Sequence, residues 1–138
     1  MNDTQAQQAA SLLNRQNQLT KKYGKTDILK RSDQFLMRLD DAGKVIAAVE
    51  VEQVQWYQAE VKHLSVEVGQ QGKGLGRQML RDAEQRAIEL GARIAQCTIR
   101  DDNKASIGLF LTSGYQHNVT FVNAKSGNRV MVLQKVLQ

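Results

Sequence analysis

Four glycines, Gly69, Gly72, Gly74 and Gly76, stand between a stretch with strand periodicity and one with helix periodicity. Upstream, over Val61–Val68, Leu64, Val66 and Val68 alternate with His63, Ser65 and Glu67, the pattern of a half-buried strand. Downstream, Arg77–Leu90 sets Met79, Leu80, Ala83, Ala87, Ile88 and Leu90 on one side of a helix, with Gly91 as its stop and Asp82–Arg86 as a supporting pair. Glycines in such a turn let backbone N–H groups approach an anion closely, and the helix N-terminus adds partial positive charge, so a diphosphate is the natural guest. Spacing excludes two familiar loops. A dinucleotide fingerprint fails because its third glycine falls on Arg77 or Met79, and a P-loop fails because Leu75 follows Gly74.

The rest of the chain supplies a sheet and its cover. Residues 4–20 are rich in Gln, Ala and Leu and predict a first helix that ends near Gly24. Phe35–Leu39 and Val45–Val51 flank a Gly-containing turn and predict a hairpin. Ile94–Ile99 returns as a strand with Ala95, Cys97 and Ile99 on one face. Asn103–Leu111 then forms a short helix, and Tyr115–Val122 with Val130–Val136 makes a last hairpin. This order gives an α/β (α+β) class, a mixed sheet with helices on its faces. At 138 residues it is one domain, with 1–34 a helical N-terminal segment and 35–136 the core.

Composition narrows the chemistry. The longest apolar run, Val45–Val49, is far short of the ~20 residues of a membrane span, and residues 2–10 lack the pattern of a signal peptide. A single cysteine, Cys97, allows no internal disulfide and suits a cytoplasmic setting. Two histidines and one cysteine do not make a metal site. Twelve of the fourteen acids lie between Asp33 and Asp102, so the net +5 charge sits on the chain ends. Those basic ends could dock nucleic acid; one tryptophan, three tyrosines and three phenylalanines leave little for base stacking.

The segment Gln71-x-x-Gly74-x-Gly76 resembles the acyl-CoA pyrophosphate loop of the GNAT N-acetyltransferase superfamily. Beginning 27 residues past Gly76, the run from Asn103 to Tyr115 is similar to that superfamily's second signature, an Asn-initiated helix. The resemblance covers about 35–136. It implies a mostly antiparallel sheet in which two parallel strands, Val61–Val68 and Ile94–Ile99, splay apart and leave room for the pantetheine arm. Its implied cofactor residues are Val66 and Val68 for pantetheine, the N–H groups of Gly72, Lys73, Gly74, Leu75, Gly76 and Arg77 for the diphosphate, and Asn103 for pantetheine, with Gln71 opening the motif and Phe110 in the second signature. Lys73, Arg77 or Lys104 would meet the 3′-phosphate. The superfamily's usual first strand is not found in residues 1–34, which implies a shortened acceptor lobe or one completed by a partner chain, such as a homodimer mate.

The implied reaction moves an acetyl group from acetyl-CoA, as co-substrate and without a metal, to a primary amine of a small molecule or protein by direct attack. The N-terminal-alanine branch of the superfamily uses a glutamate base and a tyrosine acid, but those positions hold Thr98 and Phe110. The histone branch points instead to Glu60 as base, with Glu67 and His63 as rivals whose facing depends on a bulge. Tyr57 and Tyr115 are candidate acids, and Cys97 belongs to the core. Acids on the middle strands (Glu50, Glu52, Glu60, Glu67) favour a cationic amine, whereas the basic ends favour a phosphate-bearing partner. The alternatives are a CoA-binding regulatory or interaction module without turnover, and an acetyltransferase of a nucleic-acid-associated partner.

Overall fold

The first helix of the protein, in a computed structural model that describes residues 1–17, 19 and 21–137, is α1, Asp3–Gln16. Asn2 and Gln5 exchange side-chain and backbone hydrogen bonds at its start, a reciprocal capping box. Ala6, Ala9, Ala10, Leu12 and Leu13 are its buried residues. The helix stops short of the expected residue 20 because Asn17 turns extended and donates its side-chain amide to the Leu13 carbonyl (2.9 Å). Positions 18 and 20 lie outside the described residues. A second short helix, α2 (Lys25–Lys30), follows, and no strand precedes Phe35 among the described residues.

Six strands form one sheet: β1 Phe35–Leu39, β2 Val45–Gln55, β3 Gln58–Val66, β4 Ile94–Arg100, β5 Gln116–Val122 and β6 Arg129–Val136. Their spatial order is β1-β2-β3-β4-β6-β5, and every neighbouring pair is antiparallel except β3–β4. On one face Val49, Val61, Cys97, Ile99 and Leu133 bury Met79, Leu80, Ala83 and Ala87 of α3 (Leu75–Glu89) and Phe110 of α4 (Lys104–Thr112). On the other face Phe35, Val45 and Ala48 pack beneath α1 and Ile28 of α2.

Three local expectations change. Ile88 and Leu90 are exposed rather than buried, because α3 ends at Glu89 and its last turn runs past the core. Asp82 pairs with Arg38 of β1 instead of Arg86, and Arg86 donates to the Asp33 carbonyl (2.8 Å). An i,i+4 pair is worth only about 0.3–0.5 kcal/mol, so tertiary partners displace it. Val68 is not in β3: the strand ends at Val66, and Val68 opens a short 3₁₀ turn with its side chain exposed.

Two irregularities in β3 create the site. The register on β2 runs Ala48↔Ser65 and then Glu50↔Lys62, a slip of one residue. His63 absorbs it in the left-handed region (φ 56), the only described non-glycine residue with positive φ. Lys62 and His63 therefore share the α1 face, while Leu64 and Val66 return to the opposite core. The parallel pairing is short as well. It spans Gln58↔Ile94, Ala59↔Ala95 and Glu60↔Gln96, beyond which β3 stays with β2 and β4 stays with β6.

Candidate active site

The parted strands enclose a cavity of about 550 Å³. His63 and Thr98 line it from the α1 side, Cys97 and Phe110 from the core side, and Asn103 and Lys104 from the start of α4. Side chains of both sheet faces meet in one space because no strand fills the gap. A second cavity, about 300 Å³, adjoins it at the glycine turn and is lined by Val66, Gln71, Gly72, Gly74, Leu75 and Gly76, among others. Gln16, Leu64, Asn103, Ala105 and Ser106 border both.

The turn fits a diphosphate. Gly72 (φ +81) and Gly74 (φ +80) take conformations that oppose any side chain, and Gly74 caps α3 without a side-chain hydrogen bond. The first helical bond is Gln78 N–H to the Gly74 carbonyl (3.1 Å). The N–H groups of Leu75, Gly76 and Arg77 therefore lack helical partners at the positive end of a 15-residue helix. A Cβ on Gly76 would touch Leu109 at 3.5 Å, the fit of a helix seated closely on its neighbours.

Other implied cofactor residues are already engaged. The Gln71 side chain donates to the Val66 carbonyl (3.1 Å), an acceptor the resemblance assigns to pantetheine. The Arg77 guanidinium donates to Ser113 (3.1 Å) and Thr112 (3.0 Å), tying α3 to the end of α4, so only its backbone faces the turn. Lys73 is exposed and reaches Gln70 (3.4 Å), and Lys104 borders the larger cavity. Asn103 caps α4, accepting from Ser106 N–H (3.2 Å). Val68 stands clear of both cavities.

The three candidate bases separate. His63 lines the larger cavity, with its ring edge-on to Tyr23 at 5.3 Å. Burial, helped by Lys62 and Arg31, lowers its pKa to about 4, so the imidazole is neutral at ordinary pH. Glu67 pairs with Arg15 (2.7 Å). Glu60 sits on the last paired rung and does not line either cavity; burial raises its pKa, and it has no ion pair among the described residues. The other acids of the middle strands are neutralised. Glu52 pairs with Lys62, and wholly buried Glu50 lies 3.0 Å from Arg31 and accepts from the Tyr23 hydroxyl (3.3 Å). Tyr115 is buried against Phe110, and Tyr57 is exposed at the β2–β3 turn; neither borders the two cavities. Burial also pushes the Cys97 thiol well above its usual range, which leaves it protonated and unreactive.

The α1 end contributes residues that nothing in the spacing marks: Gln16, Asn17 and Leu19 line the larger cavity. Asn17 is held by donation to Ser65 Oγ (2.7 Å). Among the described residues no group of three or more His, Cys, Asp and Glu side chains could hold a metal, and no helix is long and apolar enough to cross a membrane.

A sheet split to admit an extended thioester arm, with an anion cradle at one end of the split, defines an acyl-CoA-dependent acyltransferase. Residues 5–115 match the acetyltransferase (GNAT) family, and the chain belongs to it. The activity is acetyl-CoA-dependent N-acetyl transfer, with acetyl-CoA as co-substrate. Solved structures share the fold. YncA of Salmonella typhimurium, solved with acetyl-CoA, superposes with a TM-score of 0.83 at 19% identity over 100% of this chain and 91% of that one. The ribosomal-protein-alanine N-acetyltransferase of Brucella melitensis gives 0.84 at 17% identity over 99% and 97%. A chain of the NatC complex, bound to Gag peptide and CoA, gives 0.84 at 13% over 99% and 93%. A comparison with curated proteins returned no match.

Proposed function

We propose that the protein acetylates a primary amine by direct attack on acetyl-CoA, with His63 as the side chain that receives the amine. The observation behind this reading is a pair of adjoining cavities, one at the glycine turn and one at the His63 imidazole, that share Asn103, Ala105 and Ser106 in their walls. The diphosphate would lie against the N–H groups of residues 72–77, and pantetheine would run between β3 and β4, taking the Val66 carbonyl from Gln71. The amine nitrogen attacks the thioester carbonyl, the N–C bond forms, the C–S bond breaks, and the proton lost by nitrogen ends on the CoA sulfur. A neutral imidazole accepts a hydrogen bond from the amine and orients it, but with a pKa near 4 it is a poor proton acceptor from an ammonium. The amine must therefore arrive neutral. Phe110 supplies no proton, so the thiol's own acidity, with a pKa of about 8.5 for a simple cysteine thiol, carries the departure.

A second reading has Glu60 take the proton through a water. It draws on the half-buried Glu60 carboxylate where the strands part, which makes no ion pair among the described residues and whose pKa burial raises against the opposing charge of Lys62. The pH profile separates the two. With His63 as orienting group, kcat/KM rises with pH up to the acceptor's own pKa and has no inflection near pH 6–7; His63→Gln lowers it at least tenfold, and Glu60→Gln leaves it within threefold. With Glu60 as base, Glu60→Gln lowers kcat by ~10²-fold or more, and the loss shrinks as pH rises. Titration calorimetry with acetyl-CoA should show 1:1 binding that Gly74→Glu abolishes, while circular dichroism shows the variant folded. Wild-type protein that bound acetyl-CoA but released no thiol with any peptide, polyamine or aminoglycoside would be a binding module instead.

A further inference from the structure

The helices on the α1 side cover the sheet unevenly. Both α1 and α2 lie over β1–β3, and on that face β4, β6 and β5 have no helix of their own among the described residues. Register pairs share a face, so the side chains there form rows across the strands. One row is Thr98, Val132 and Val119; the next is Gln96, Gln134 and Gln116. Val119 is 53% exposed, and Phe121, two residues along β5 on the same face, is 44% exposed. The glutamine row is pre-ordered: Gln134 donates to Gln96 (2.6 Å) and accepts from Asn118. Thr98 belongs both to the apolar row and to the wall of the larger cavity, so the open face and the acceptor end of the site are continuous.

We infer that this face is the docking surface for a polypeptide acceptor, an extended segment with apolar residues next to the one that carries the amine. The inference rests on the acetyltransferase reading above. An amine no larger than the cavity would never reach Val119, which stands two strand spacings, about 10 Å, from Thr98. An extended chain covers that distance in about three residues. Glutamine side chains keep spare donors and acceptors for a peptide backbone, and the valines and Phe121 supply apolar contact for alternate side chains. A second copy of the protein seated here would cover Thr98 and close the route to the cavity. Among the described residues of these strands, an anionic polymer would find one cation on this face, Arg100 in the adjoining row with Val130 and Phe121, already paired with Asp102 (3.2 Å).

The test compares wild type with Val119→Lys and Phe121→Lys, and with Val122→Lys, an exposed control on the other face of β5. Acetyl-CoA binding by calorimetry reports the fold and the donor site. Thiol release is followed with short peptides that carry Leu, Val or Phe in the three positions beside the amine-bearing residue, with matched peptides carrying Asp or Lys there, and with spermidine. The expected result is turnover of the apolar peptides, a KM raised at least tenfold by Val119→Lys and by Phe121→Lys with kcat within twofold, and no change from Val122→Lys. Equal use of apolar and charged peptides, spermidine as the better acceptor, or a peptide KM indifferent to both lysines overturns the inference. A wild-type dimer that sediments as a monomer after Val119→Lys, with peptide kinetics unmoved, assigns the face to self-association and overturns it too. Loss of acetyl-CoA binding in the wild type would instead defeat the acetyltransferase reading and this inference with it.

Discussion

At the scale of single residues, His63 carries two unusual conditions together, a left-handed backbone and a desolvated ring. Left-handed backbone costs roughly 1–2 kcal/mol for a residue with a Cβ, and the bulge that imposes it also turns the ring toward Tyr23 and the cavity. The titration has a consequence for stability. An unfolded histidine binds its proton near pH 6.5, whereas folded His63 resists until about 4, because burial and then Lys62 and Arg31 oppose the charge. Its folded pKa is depressed, so stability is full above pH 6.5 and falls as pH drops toward 4, by about 2 kcal/mol between pH 7.5 and 5. Glu50 and Glu60 act in the opposite direction: burial raises their pKa, and the folded protein takes up protons that the unfolded chain does not. The measurement is therefore a difference. Urea unfolding at pH 7.5 and 5 should show wild type losing about 2 kcal/mol more than His63→Gln over that interval. Equal losses would mean that the imidazole is hydrated and titrates normally.

At the scale of elements, Tyr23 fastens the α1–α2 connection to the sheet. Asn14 of α1 grips its backbone twice, donating to the Tyr23 carbonyl and accepting from its N–H, both at 2.8 Å. The ring meets Phe35 edge-on at 6.5 Å, Arg31 lies over it at 5.3 Å, and its hydroxyl reaches Glu50. Tyr23→Phe loses one hydrogen bond to a buried carboxylate, about 1.5–3 kcal/mol, while Tyr23→Ala also removes the ring and should cost about 3–5 kcal/mol. Because the ring also supports His63, Tyr23→Ala should raise the acceptor KM several-fold with acetyl-CoA affinity unchanged; calorimetry and thiol-release kinetics check both parts. Such fastenings explain what was legible in the sequence and what was not. Strand and helix periods, the glycine turn and the Asn103 cap are local signals, and each produced its element within a few residues. The slip at His63, the anchoring of Asn17 on Ser65 and the diversion of Arg77 onto α4 depend on partners distant in sequence. The charge of the middle strands depends on distant partners as well: Arg15, Arg31 and Lys62 pair with Glu67, Glu50 and Glu52, while Glu60 has no ion pair among the described residues and meets the Lys62 charge only through space.

At the scale of the whole molecule, the sheet is two pieces sharing three parallel rungs. β1–β3 carry α1 and α2, β4–β6 run beside α4, and beyond Glu60↔Gln96 the common core under α3 and α4 joins them. The accessible surface, 7977 Å², exceeds the roughly 7,200 Å² expected of a folded 15.5 kDa monomer, as the open gap and the uncovered half-sheet require. An acyl-CoA arm laid in the gap would supply the missing hydrogen bonds on both inner strand edges and so act as a seam. At CoA one hundred-fold above its Kd, linkage adds about 2.7 kcal/mol, which for a chain of this size raises Tm by roughly 8 °C. The distribution of that gain is the sharper test. Hydrogen exchange should slow most at Val61–Val66 of β3, Ile99–Arg100 of β4 and the residues 72–77 turn, and little in the β1–β2 hairpin, whose ladder is complete without ligand. Protection confined to residues 72–77, with the strand edges exchanging as before, would mean that CoA is held by its diphosphate alone and that the two halves of the sheet move independently of it.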